Sequence, residues 1–186
     1  MVSAAILRTT KITCCGVLLL GTLTSWLANT VTRWTITEDY TVAFSGSGAE
    51  GTFRGLTGTI VFDSTNLGQS VFDVAVDART IATGNDTKDR HARGDSWFDV
   101  ERYQEIHFTS SRITRTATGY QATGTLRLHG VEREIELPFT FAQQGDTGTF
   151  KGSFTVNRQD YGIEGPFFGF VVGDDFDVTL TVPVRQ

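Results

Sequence analysis

Residues 88–98 read KDRHARGDSWF and gather Lys88, Asp89, Arg90, His91, Arg93 and Asp95 immediately before Trp97 and Phe98. Lys88, Arg90 and Arg93 can offer charge-assisted hydrogen bonds to an anionic or polar group. Asp89 suits a structural pairing with a neighbouring base, and His91 is left undecided. A second group, Asn157-Arg158-Gln159-Asp160-Tyr161-Gly162, sets an arginine beside an acid at a glycine turn. A salt-linked corner is the favoured reading there, with a ligand role for Arg158 as the alternative. Catalysis needs a nucleophile with a base, or a set of metal ligands, within reach. The three histidines, His91, His107 and His129, fall on separate elements, and no His-x-x-x-His and no Glu beside paired histidines occurs. No catalytic residue and no metal ligand is assigned, and the chain is read as a non-enzyme.

Both cysteines, Cys14 and Cys15, lie in the first part of the chain, so the remainder has neither disulfide nor thiolate chemistry. Arg8 and Lys11 precede an uncharged, mostly apolar stretch from Ile12 to Ala28. That is the order of a secretory signal, cut after Ser25 or Ala28; the alternative is an uncleaved anchor over Ile12–Val31. Residues 1–28 are therefore expected to be a signal peptide or anchor, and the protein periplasmic or secreted, or membrane-anchored if the leader stays. The cysteines stand at the start of the apolar run, which is the wrong place for lipid modification. Removing Arg8 and Lys11 from the 16 basic residues leaves 14 against 21 acidic, a balance of −7. Such a domain lacks the basic footprint of a nucleic-acid binder.

The elements that must position these groups are strands. Phe72, Val74, Val76 and Ala78 alternate with Asp73, Asp77 and Arg79, and Ile135, Leu137, Phe139 and Phe141 alternate with Glu132, Glu134 and Glu136. Each is a strand wet on one face. Trp34–Phe44 shows two registers broken at Glu38-Asp39, and the apolar parity changes between Phe53 and Ile60, across Gly55–Gly58. A bulge or sharp bend belongs there. His129-Gly130 marks a tight turn. Eight strands emerge, joined mostly by short glycine-containing loops, which predicts antiparallel neighbours in chain order; eight twisted strands can close on themselves.

Fourteen phenylalanines against one methionine supply the inward face. Phe44, Phe72, Phe108, Phe139, Phe141, Phe154 and Phe176 either line a tunnel or pack as core, and periodicity alone does not decide. Small inward residues (Ala78, Ala122, Gly124, Gly152) favour space over a filled interior. Phe167, Phe168 and Phe170, in a glycine-rich loop before the last strand, suit a lid or an entrance.

GTFRGLTGTIVFD (51–63), TGNDTKDRHARGDSWFDVERYQEIHFTSS (83–111), GTLRLHGVEREIELPF (124–139) and NRQDYGI (157–163) together resemble the YceI-like family, in order and at its spacing, over roughly residues 34–184. The resemblance implies an all-β, eight-stranded antiparallel barrel of lipocalin-like shape over residues 33–186, with a short helix at Asp86–Arg93 after the third strand. It also implies bacterial export and a long apolar pocket for polyisoprenoid or related lipid. Lys88 stands where the family usually has arginine, which keeps the charge but loses the flat two-bond fork. Tyr40-Thr41 replaces a usual His-Ser, Gln104 a usual proline, and Trp97-Phe98 a usual Phe-Phe pair.

The resulting expectation is an exported binding protein that encloses an isoprenoid or fatty-acyl chain for sequestration or transport. The lining would be Phe44, Phe62, Phe72, Val74, Val76, Trp97, Phe98 and Phe108, with Leu126, Phe139, Phe141, Phe154, Phe168, Phe170 and Phe176. Lys88, Arg90, His91 and Arg158 are candidates for the polar head. No cofactor is expected beyond such a lipid; the partner is an apolar ligand, and membrane proximity and pairing of two barrels stay open. The alternative is a filled barrel that acts on a partner protein through its outer surface.

Overall fold

The alternation becomes nine strands, one α-helix and two short 3-10 turns in the computed structural model, which describes residues 31–165 and 172–186. The expected leader and the expected lid residues Phe167, Phe168 and Phe170 lie outside the described residues. The strands are β1 (Arg33–Ile36), β2 (Thr41–Gly46), β3 (Ala49–Val61), β4 (Val71–Ala82), β5 (Glu105–Arg115), β6 (Tyr120–Leu128), β7 (Val131–Gln144), β8 (Thr147–Asn157) and β9 (Asp175–Arg185). The helix α1 spans Asp86–Arg93, between β4 and β5.

β1 and β2 share one position in the wall. Both pair with β3 on one side (Trp34↔Ile60, Val42↔Phe53) and with β9 on the other (Ile36↔Val184, Thr41↔Thr181). The break falls at the exposed Glu38-Asp39, where the sequence changes register. The wall therefore has eight positions, each strand antiparallel to the next, and β9 returns to β1 and β2 to close it. Among the described residues, closure leaves no unpaired edge strand.

The bend expected in β3 is present. Its pairing with β4 shifts between Thr52 and Arg54 and again between Arg54 and Thr57. Gly58 has φ +128°, and a Cβ there would sit 2.1 Å from the Asp73 carbonyl oxygen, so only glycine permits the approach. The donors freed by the bend are met by side chains: the Arg54 amide donates to the Thr80 hydroxyl (2.7 Å) and the Leu56 amide to the Tyr40 hydroxyl (3.0 Å). Tyr40, one of the departures from the family pattern, thus braces the curl of the sheet. A second irregularity, between Ser110 and Arg112 of β5, leaves the Phe72 amide to donate to the Ser110 hydroxyl (2.8 Å). The His129-Gly130 turn has φ of +51° and +76°, the twist a two-residue hairpin requires.

Candidate functional site

A cavity of about 240 Å³ occupies the barrel interior. It is larger than the ~150 Å³ apolar cavities that stay dry and take up small hydrocarbons. The strands deliver its wall by alternation: Val42 and Phe44 from β2, Val74 and Val76 from β4, Phe154 and Val156 from β8, Val178, Leu180 and Val182 from β9. Among the described wall residues, polar side-chain atoms come only from Thr83, Lys88, Arg158 and the Trp97 indole nitrogen.

Of the residues read from sequence, the structure brings Phe44, Phe72, Val74, Val76, Trp97, Phe98, Phe108, Leu126, Phe139, Phe154 and Phe176 to this wall, with Lys88 and Arg158. It places Phe62 and Phe141 elsewhere. Phe62, 1% exposed, contacts the rings of Phe72, Tyr120, Phe139, Phe141 and Phe150 at centroid distances of 5.0–6.2 Å. Phe141 stacks on Phe150 at 4.3 Å and meets Trp34 edge-on at 5.1 Å. These rings fill one end of the barrel, so Phe72, Phe139 and Phe150 form the floor of the cavity and Phe62 and Phe141 lie behind it. Each such pair contributes about 0.5–1.5 kcal/mol beyond burial.

The small inward residues also divide. Gly152 belongs to the wall, but Ala78 and Ala122 are fully packed. A Cβ at Gly124 would lie 2.3 Å from the Thr109 carbonyl oxygen and 2.9 Å from the Phe108 ring. Neighbouring strands close in over those three positions and leave no space.

At the other end, α1 is seated by its first turn. The Asn85 side chain accepts from the Thr87 and Lys88 amides (3.0 Å each), capping the helix. Asp89 is buried and accepts from the Thr83 hydroxyl (2.6 Å) and the Thr83 amide (2.7 Å). The Thr83 hydroxyl bond, the Thr83 amide bond and the charge of Arg93 hold the Asp89 carboxyl below the ordinary value, against burial. Asp89 does tie the helix to the barrel, but through threonine rather than the expected ion pair. Arg93 donates from Nε to the Arg79 carbonyl and from Nη2 to the Ile81 carbonyl, 2.8 Å each. A chain of turns after α1 (Trp97 N to Gly94 O, Phe98 N to Ala92 O) then swings Trp97 and Phe98 inward.

Arg158 forms the salt-linked corner, with a different partner from the one next to it in sequence. Its Nη2 pairs with Asp174 (2.8 Å), its Nε donates to the Gly173 carbonyl (3.2 Å) and its Nη1 to the Ile163 carbonyl. Its guanidinium lies 5.3 Å from the Trp97 ring centroid. Lys88 reaches the Gly48 carbonyl at 3.4 Å. Arg90 and His91 are exposed on α1 and are not part of the wall. His107 meets Asp73 on the outer surface, and His129 Nδ1 lies 3.0 Å from the Tyr161 carbonyl oxygen. The three histidines do not converge, and no metal-holding group occurs among the described residues.

Sequence reading missed Phe150, Val156, Leu180 and Val182, which the alternation of β8 and β9 could have supplied. It also missed Phe53, Leu56 and Ile81, which lie across changes of parity, and Ile163, which no periodicity marks.

A closed meander around an apolar cavity defines a ligand-enclosing, lipocalin-like barrel. The chain belongs to the YceI-like domain family, whose model matches residues 30–184. A UPF0312 protein of Pseudomonas savastanoi pv. phaseolicola is 31% identical over 136 residues, covering 69% of this chain and 71% of that protein. Among solved structures, BcnA of Burkholderia cenocepacia superposes with a TM-score of 0.75 at 24% identity, over 82% of this chain and all of that one. A domain from Saccharophagus degradans, described as polyisoprenoid-binding, superposes with a TM-score of 0.63 at 15% identity, over 84% of this chain and 99% of that one. At these identities the two structures speak to the fold.

Proposed function

We propose that this barrel encloses one long apolar chain, isoprenoid or fatty-acyl, for sequestration or transport outside the cytoplasm. The observation that carries the reading is the cavity itself: about 240 Å³ with almost no polar side chain in its wall. Membership of the YceI-like family and the polyisoprenoid-binding description of one structural neighbour support it. Transfer of chain surface from water gives roughly 25 cal/mol per Å², so affinity grows with the length of chain enclosed. The positively charged and apolar leader supports export, and loading from a membrane fits a ligand insoluble in water. A filled barrel working through its outer surface has the cavity against it.

Native mass spectrometry of the protein purified without detergent, followed by organic extraction, tests the reading. One apolar species per barrel is expected, and the same spectrum reports whether two barrels pair. A bare protein that also takes up no added isoprenoid or fatty alcohol would overturn the proposal.

A further inference from the structure

Resting on the apolar-chain reading, we infer that Phe72, Phe139 and Phe150 form a stop that sets the length of chain this barrel accepts, with the apolar tip of the ligand seated on their rings. The cavity ends at one height on several strands. Val182 borders it on β9 but Val184 does not, Phe139 borders it on β7 but Phe141 does not, and Ile60 of β3 borders it while Phe62, just past that strand, does not. The floor rings are held from behind. Phe150 stacks on Phe141 at 4.3 Å and meets Phe62 at 5.4 Å, and Phe72 and Phe139 lie 6.2 and 5.7 Å from Phe62. A Cβ added at Gly148, the next inward position of β8 past Phe150, would lie 2.5 Å from the Phe141 ring, so not even a methyl group fits behind the floor there.

The floor presents ring carbon, so the end of the ligand that rests on it is hydrocarbon; a polar end would give up its water against apolar rings. From Phe176 to Val182 the wall on β9 rises about 3.4 Å per residue, and barrel strands tilt by about 40°, which leaves roughly 15 Å of depth. Along that depth each added methylene raises affinity about fourfold. A carbon beyond it has to displace a packed ring or stay in water, and close-packed interiors resist even one extra methylene. Length is therefore selected by where three rings stand, not by how many apolar residues line the wall.

The test measures linear primary alcohols from octanol to eicosanol on the full-length protein stripped of co-purified lipid, by equilibrium competition. Affinity should climb about fourfold per methylene and then break off at one length. Phe150→Ala opens a ring-sized space in the floor and should move the break to longer alcohols, with at least a fourfold gain for the first alcohol past the wild-type break. Val74→Phe places a ring one inward position above Phe72 on β4, at a half-buried site that borders the cavity, and should move the break to shorter alcohols. It decides the matter if Phe150→Ala does not fold. A wild-type climb that continues unbroken to eicosanol, or a break that stays in place in the folded variants, would overturn the inference while leaving the apolar-chain reading intact. Binding of no alcohol in the series, and of no farnesol, would remove both.

Discussion

The two ends of this barrel are built from the same strands by opposite means. At one end Phe62, Phe72, Tyr120, Phe139, Phe141 and Phe150 meet ring against ring, with Trp34 edge-on to Phe141. At the other, hydrogen bonds of Asp89, Thr83 and Arg93 hold α1, those of Arg158 hold Ile163, Gly173 and Asp174, and the apolar space lies beneath them. Packing is non-directional and fills volume. Hydrogen bonds fix positions without filling, which is how polar groups can border a hollow.

The sharpest way to break this contrast is Phe62→Ala. Removing a 1% exposed ring from a cluster of five others should cost about 3–5 kcal/mol, read from the denaturant midpoint. The same truncation at exposed Arg90 should stay within about 0.5 kcal/mol. A loss below about 1 kcal/mol for Phe62→Ala would mean that the aromatic end is not solid. Arg158→Met comes next. It leaves the Ile163 and Gly173 carbonyls and Asp174 without their donor, for an expected loss of about 1.5–3 kcal/mol. Asp174→Asn should cost less, at most about 1 kcal/mol, because Asp174 is 44% exposed. If the two variants lose equally, the carbonyl contacts contribute nothing.

The smallest effect is in the pH dependence. The Asp89 carboxyl lies below its ordinary value of 3.8, first because of the Thr83 hydroxyl. A depressed folded pKa stabilises above the unfolded value, and the stabilisation is lost as pH falls through the folded one. Wild type should therefore melt higher than Asp89→Asn at pH 7, and the gap should close as pH falls below about 4. A gap unchanged down to pH 2.5 would show that Asp89 acts by shape alone.

Much of the fold was legible because a strand wet on one face writes itself as alternation. Phe72 to Ala78 and Ile135 to Phe141 show it directly, and the break at Glu38-Asp39 and the parity change across Gly55–Gly58 were readable as irregularities. The site was legible only in part. Alternation says that Phe62 and Ile60 face inward, but not that Phe62 meets five rings while Ile60 borders the cavity. The sequence neighbour of Arg158 is Asp160, yet its partner is Asp174; Asp89 lies among bases, yet its partner is Thr83. Those choices depend on which loops the closed barrel brings together.

Composition and periodicity by themselves determined strands with one apolar face, joined as antiparallel neighbours, because side-chain direction in a strand repeats every two residues whatever surrounds it. The level at which that interior is solid or hollow was decided by tertiary structure. It depends on register across eight wall positions, where Phe62, just past β3, meets rings from β4, β6, β7 and β8 at one height while Val74, Val76, Gly152 and Leu180 leave room at another. Volume in a close-packed interior is a sum over neighbours, and those neighbours are far apart in the chain.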